Sequence, residues 1–116
     1  MTEALKLTID RRDAFAVIHT EGYINNQGGE EIARAAYELL DSGYRRLLLD
    51  LTGTKIINSI GISILIEIIE KMLEVDGKLA FCSLTPTIEK TFHIMGLAQY
   101  ASIYPDQTIA VVELAP

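Results

Sequence analysis

Residues Ala4 to Thr8 and Phe15 to Thr20 carry strand-like patterns, with the polar tetrapeptide Asp10-Arg11-Arg12-Asp13 between them. Two such stretches across a polar turn predict an antiparallel hairpin. After Glu21-Gly22-Tyr23-Ile24 the repeat lengthens, and Ile32, Ala36, Leu39 and Leu40 recur at helical spacing. A helix is expected there, capped by Asn25 or Asn26, with Glu30 and Glu31 near the positive end of its dipole and Gly43 as its stop. The apolar run within Arg46 to Leu51 lacks alternation, which suits a buried strand. A long helix follows from Ser59 to about Val75, then the turn Asp76-Gly77 and a strand from Lys78 to Ser83, so a parallel crossover is implied. Thr85-Pro86 reads as an N-cap and first helical residue, with Ile88, Phe92 and Met95 on one face and Gly96 as the stop. A short strand is expected at Ser102 to Tyr104. In the tail, Pro105 and Asp106 suit a helix start whereas Ile109-Ala110-Val111-Val112 has strand character; a short helix to Leu114 is favoured.

Composition narrows what such a chain does. With 116 residues, 49% hydrophobic content and a mean hydropathy of +0.24, there is material for one core and no room for a second domain, so residues 1–116 are expected to fold as a unit. The formal charge is −6 with acidic and basic residues interspersed, and without a basic stripe direct binding to nucleic acid is not expected. No apolar run reaches the roughly 18 residues of a membrane span. The start Met1-Thr2-Glu3-Ala4-Leu5-Lys6 lacks a signal-peptide pattern. Cys82 stands alone and has no intrachain disulfide partner. These features fit a cytoplasmic protein.

The candidate chemistry lies at the mouth of the long helix, in Ile56-Ile57-Asn58-Ser59-Ile60-Gly61-Ile62-Ser63. The first N–H groups of a helix have no partner within it and its macrodipole favours negative charge, so a phosphate on Ser59 would be well accommodated. At about 100° per residue Ser59, Ser63, Glu67, Glu70, Lys71 and Glu74 share a polar face, into which Ile60 intrudes. The apolar residues Ile62, Ile64, Leu65, Ile66, Ile68, Ile69, Met72 and Leu73 cover an arc of about 200°, roughly twice a minimal stripe. Either flanking helices bury that arc or part of it meets a partner. Ile60, if exposed beside Ser59, would contribute roughly 1.5–3 kcal/mol on full burial by a partner.

Other constellations carry less. Asp50-Leu51-Thr52-Gly53-Thr54-Lys55 echoes a strand-end aspartate that accepts phosphoryl groups, but it lacks the following lysine and a later magnesium site, and Thr52-Gly53-Thr54 reads as a turn. Gly28-Gly29 lacks the strand and spacing of a dinucleotide loop and is expected to ease the start of the first helix. His19 and His93 have no neighbours at metal-ligand spacing, Cys82 suits an inert strand position, and no catalytic triad is present. No metal, cofactor or catalytic residue is expected, and an enzyme is not.

The order of elements and several short motifs together resemble the STAS domain, the fold of bacterial anti-sigma factor antagonists, from about Leu5 to Leu114. The matching positions are Asp50-Leu51-Thr52 at a strand end, Asn58-Ser59-Ile60-Gly61-Ile62-Ser63 leading into a helix, Glu21-Gly22 after the second strand and Asp76-Gly77-Lys78-Leu79 before the fourth. The resemblance implies a single α/β domain with a mixed sheet of four to five strands, an N-terminal antiparallel hairpin followed by parallel crossovers, packed with three to four helices. It further implies that the unphosphorylated protein binds an anti-sigma factor serine kinase through Asn58, Ser59, Ile60, Gly61 and Ser63 and so frees a sigma factor, that the kinase phosphorylates Ser59, and that a phosphatase resets it. The family's acidic residue is Asn58 here and its second small hydroxyl residue is Ile60. Those two departures favour the alternative, a non-phosphorylated scaffold within a lipid-transport or sensory assembly. Oligomeric state is left open.

Overall fold

The computed structural model describes residues 4–115; the expected domain limits at 1 and 116, and the start Met1-Thr2-Glu3, lie outside them. Five strands, β1 (Lys6–Arg11), β2 (Ala16–Glu21), β3 (Arg46–Gly53), β4 (Lys78–Cys82) and β5 (Ser102–Tyr104), form one sheet in the order β1-β2-β3-β4-β5. β1 is antiparallel to β2 and every other pair is parallel. The helices are α1 (Asn26–Asp41), α2 (Ser59–Glu74), α3 (Pro86–Ile94) and α4 (Gln107–Leu114), with a 3₁₀ turn at Leu97–Gln99. Strands added in sequence order through crossovers of one hand leave the crossover helices on a single face. Accordingly α1, α2 and α3 share one face, and α4 returns across the other.

The unalternating leucines of β3 record burial on both faces of the sheet. Leu47, Leu49 and Leu51 join Ile32 and Leu39 of α1, Leu65 and Ile68 of α2 and Phe92 of α3 in the larger core. Leu48 points the other way, into a smaller core with Phe15, Val17, Ala80, Cys82 and the α4 residues Ala110 and Leu114. The tail is therefore the favoured helix, started by Asp106, whose carboxylate accepts from the Ile109 N–H at 2.9 Å.

Several boundaries differ from expectation for local reasons. β1 runs to Arg11 instead of ending at Thr8, because Asp10 and Arg11 continue the ladder opposite Val17 and Ala16. The hairpin turn is correspondingly tight, closed by Arg12 N–H to Phe15 C=O at 2.9 Å. Thr52 and Gly53 are the end of β3 and also the turn expected there: the Gly22 N–H bonds the Gly53 carbonyl at 3.0 Å, the Thr54 N–H closes back on the Leu51 carbonyl at 3.0 Å, and the buried Thr54 hydroxyl meets that of Thr20 at 2.6 Å. β4 stops at Cys82 because Ser83 takes a left-handed φ of 62°. Met95, expected on the buried face of α3, is exposed: the helix ends at Ile94, Gly96 turns the chain at φ 85°, and Leu97 takes the inward place. Leu40 is only half-buried. Asn25 is the cap of α1, accepting from Gly28 N–H at 2.8 Å. Glu30 and Glu31 then fall beyond the first turn, where the pull of the dipole has faded.

Flanking elements cover most of the apolar arc of α2. Ile62, Leu65, Ile68, Ile69 and Met72 are buried, Ile64 and Ile66 are half-buried, and Leu73 is exposed. Gly28-Gly29 does more than ease the start of α1. A methyl group at Gly29 would stand 2.7 Å from the Ile64 side chain, so this glycine sets how closely α1 lies on α2. Tyr37 of α1 also donates to Glu67 of α2 at 3.0 Å; its phenol is pushed up to about 12, chiefly by burial and then by that carboxylate.

Candidate functional site

The loops after β2 and β3 lie side by side at the carboxyl edge of the parallel strands, and they fix the start of α2. Ile24 bridges Ile57: its N–H donates to the Ile56 carbonyl at 3.0 Å, and its own carbonyl accepts from the Asn58 N–H at 3.1 Å. Asn58 is the N-cap, its side-chain oxygen accepting from the Gly61 N–H at 2.8 Å. Gly61, expected at the contact surface, is buried. A methyl group there would sit 2.5 Å from the Ile24 carbonyl oxygen, a backbone atom held in the bridge, so Gly61 lets the helix approach the loop rather than touch a partner.

Because Asn58 caps the helix, Ser59 is released from that duty. It occupies the first helical position, is exposed, and its hydroxyl makes no hydrogen bond to any described residue. Ile60 beside it is 51% exposed. Ser63 is exposed one turn on and donates its hydroxyl back to the Ser59 carbonyl at 3.0 Å. The arrangement separates two jobs: Asn58 and Gly61 hold the backbone, while Ser59 and Ile60 face outward. Asn58→Ala should therefore cost about 1 kcal/mol of stability through loss of the cap. Ser59→Ala should leave stability within about 0.5 kcal/mol, as expected for an exposed position without such a feature. Urea unfolding of the two variants checks this difference.

The loop before the cap supplies a residue that sequence reasoning passed over. Ile56 is 60% exposed and lines two shallow cavities, one with Gly22, Tyr23, Gly53 and Lys55, the other with Lys55, Ile57, Ile62, Thr87, Ile88 and Thr91. Its signal was present: an apolar residue immediately outside a helix, in a loop with no strand period to bury it.

Asp50 is buried and already engaged. One carboxylate oxygen accepts from the N–H and hydroxyl of Thr52, and the other lies 3.4 Å from His19 Nδ1. Cys82, opposite Asp50 in the sheet, has its thiol pushed up to about 12 by burial and by that neighbouring negative charge, so it stays protonated and a poor nucleophile. Among the described residues no group of His, Cys, Asp and Glu is placed to hold a metal ion. No described helix is long and apolar enough to cross a membrane.

With this geometry in view, the sequence profile of the STAS domain matches residues 6–109. This chain belongs to the STAS domain family. A relative from Bordetella bronchiseptica, BtrV, provisionally described as an anti-sigma factor antagonist, is 30% identical over 87% of this STAS domain and 84% of its own length. Among solved structures, an anti-sigma factor antagonist from Mycobacterium paratuberculosis superposes with a TM-score of 0.83 over 96% of this chain and 94% of its own, at 20% identity. SpoIIAA, a Bacillus cell fate determinant, superposes in its phosphorylated form with a TM-score of 0.75 over 95% of this chain and 100% of its own, at 14% identity. At those identities the superpositions speak for the fold: the hairpin, the parallel crossovers and four helices of this STAS domain are the family's architecture.

Proposed function

We propose that this STAS domain, residues 1–116 acting as one unit in the cytoplasm, is an anti-sigma factor antagonist that binds a kinase-type anti-sigma factor when Ser59 is unmodified and releases it when Ser59 is phosphorylated. The observation that carries this reading is the free, exposed Ser59 hydroxyl on the first residue of α2, flanked by exposed Ile56 and Ile60. The description of the Bordetella relative and the phosphorylated state of SpoIIAA support it. The domain's part in the chemistry is to accept phosphate. Ser59 Oγ attacks the γ-phosphorus of ATP held by the kinase, the new O–P bond forms as the bond to the β,γ-bridging oxygen breaks, ADP leaves, and the hydroxyl proton passes to a base of the kinase. A phosphatase returns the serine.

Incubation with the anti-sigma serine kinase and ATP should retard the protein on a phosphate-affinity gel, with the modified peptide containing Ser59, and Ser59→Ala should stay unmodified. A wild-type protein that still binds its partner but takes no phosphate would instead favour the scaffold role, towards which Asn58 and Ile60 lean.

A further inference from the structure

β1 is an outer strand of the sheet, paired on one side only. The hairpin decides which of its backbone groups are left over. Arg12 N–H bonds the Phe15 carbonyl at 2.9 Å, so that pair is a bonded one, and bonded and non-bonded pairs alternate along an antiparallel ladder. Asp10, Thr8 and Lys6 therefore turn their N–H and C=O groups towards β2. Those of Ile9 and Leu7 point out of the sheet, and no described residue bonds them. The register runs unbroken from Lys6 to Arg11, with no bulge and no proline. An edge left flat in this way is a template for another strand.

The sequence along this edge, Lys6-Leu7-Thr8-Ile9-Asp10, complements itself when reversed. Two copies related by a two-fold axis through Thr8 would pair antiparallel, with Leu7 opposite Ile9 and Lys6 opposite Asp10 on both sides of the axis. The backbone groups that meet in this register are the ones left free: Leu7 of one copy exchanges both its bonds with Ile9 of the other. The side chains agree. Leu7 and Ile9 are half-buried on the face of the main core, so the apolar row continues across the axis. On the opposite face, Lys6 already stands beside Glu21 in the ladder and gains Asp10 of the second copy on its free side. Moving the axis to Leu7 or Ile9 loses both ion pairs, and moving it to Lys6 or Asp10 sets like charges directly opposite, which is destabilising. One register stands out. The other outer strand, β5, has three residues and offers no ladder of comparable length.

We propose that this chain forms a two-fold dimer in solution through β1, joining two five-stranded sheets into one. A second copy is the occupant because the match in charge and apolar character is that of the strand with itself. Exposed ion pairs add little affinity, so Lys6 and Asp10 set the register while the backbone bonds and the apolar row hold the copies together. A single strand pair makes a small contact, and interfaces below about 1,200 Å² belong to weak assemblies. The dimer is therefore concentration-dependent. It does not rest on the anti-sigma reading; where both hold, one particle carries two Ser59 sites.

Sedimentation velocity of the full chain at rising concentration, up to about 1 mM, should show a growing dimer fraction. Thr8→Glu, at an exposed position on the axis, sets two carboxylates face to face and should weaken the dimer at least tenfold with the thermal midpoint kept. Lys6→Asp should do the same, and adding Asp10→Lys to it should recover most of the loss. Cross-linking locates the axis independently. Across a non-bonded pair the Cα atoms lie about 4.5 Å apart, within the roughly 4.4–6.8 Å of a disulfide, so two Thr8→Cys chains should join as oxidised glutathione takes up the two electrons. Lys6→Cys, four residues out of step with its own copy, should not join, and the wild type should stay single because Cys82 is buried. A wild type that is monomeric throughout overturns the proposal. So does a dimer that Thr8→Glu leaves intact, or one in which Lys6→Cys cross-links as readily as Thr8→Cys.

Discussion

Phosphorylation of Ser59 is expected to weaken partner binding by about a hundredfold or more while leaving the domain as stable as before, or slightly more so. The two effects separate because they act in different places. At the interface, a phosphate brings about −1.5 to −2 charges that must be desolvated or faced by like charge on docking. Such juxtapositions cost several kcal/mol, and each 1.4 kcal/mol is roughly tenfold in affinity. Within the fold, Ser59 is exposed at the first position of α2 and its hydroxyl bonds no described residue, so nothing is broken by its modification. Negative charge in the first turn of a helix is favourable by about 0.3–1 kcal/mol. Calorimetric titration should thus show the loss of affinity, and thermal unfolding should show an unchanged or raised midpoint. A midpoint lowered by several degrees would mean that phosphate acts by loosening α2, and the contact-surface mechanism would be wrong.

The pattern of hydrophobic residues was enough to order the elements because each obeys a local rule: period two in the hairpin, helical spacing behind Asn25 and Asn58, and an unbroken leucine run where a strand is covered on both sides. What escaped was set by neighbours in space. β1 extends through the polar Asp10 and Arg11 because β2 offers partners there, and no one-dimensional pattern marks an edge strand's polar end. Thr52-Gly53-Thr54 has turn composition and does close a turn from Thr54 N–H to Leu51 C=O, yet β2 keeps Thr52 and Gly53 in the sheet. The candidate site divides the same way. Ser59 at a helix mouth was legible from composition alone. That Asn58, not Ser59, does the capping needed the backbone, and Gly61 became a packing residue only once Ile24 was seen beneath it. Ile56 and the α3 wall of the cleft come from parts of the chain about thirty residues apart, and only the fold brings them together.

Phe92→Ala should destabilise the domain far more than loss of the Asn58 cap, costing about 3–5 kcal/mol, as large-to-small changes of buried phenylalanine do. α3 has nine residues, and a helix shorter than about 12–15 residues is marginal on its own, so tertiary packing must hold it. Only Ile88 and Phe92 of that helix are buried, and Phe92 meets Phe81 of β4 edge-on at 4.9 Å between ring centres. Removing the ring leaves a void in the main core and takes away one of two anchors. Against a total of about 5–15 kcal/mol for a typical domain, the urea midpoint should fall sharply. Ile94→Ala on the same helix, at a side chain 72% exposed, should change stability by less than about 0.5 kcal/mol. Function gives a second readout. Under conditions where Phe92→Ala is still folded, a poorly seated α3 no longer walls the cleft with Thr87, Ile88 and Thr91, so binding to the kinase should weaken and phosphorylation of Ser59, which needs that docking, should slow with it. Full-strength binding by the folded variant would show that α3 stands outside the docking surface.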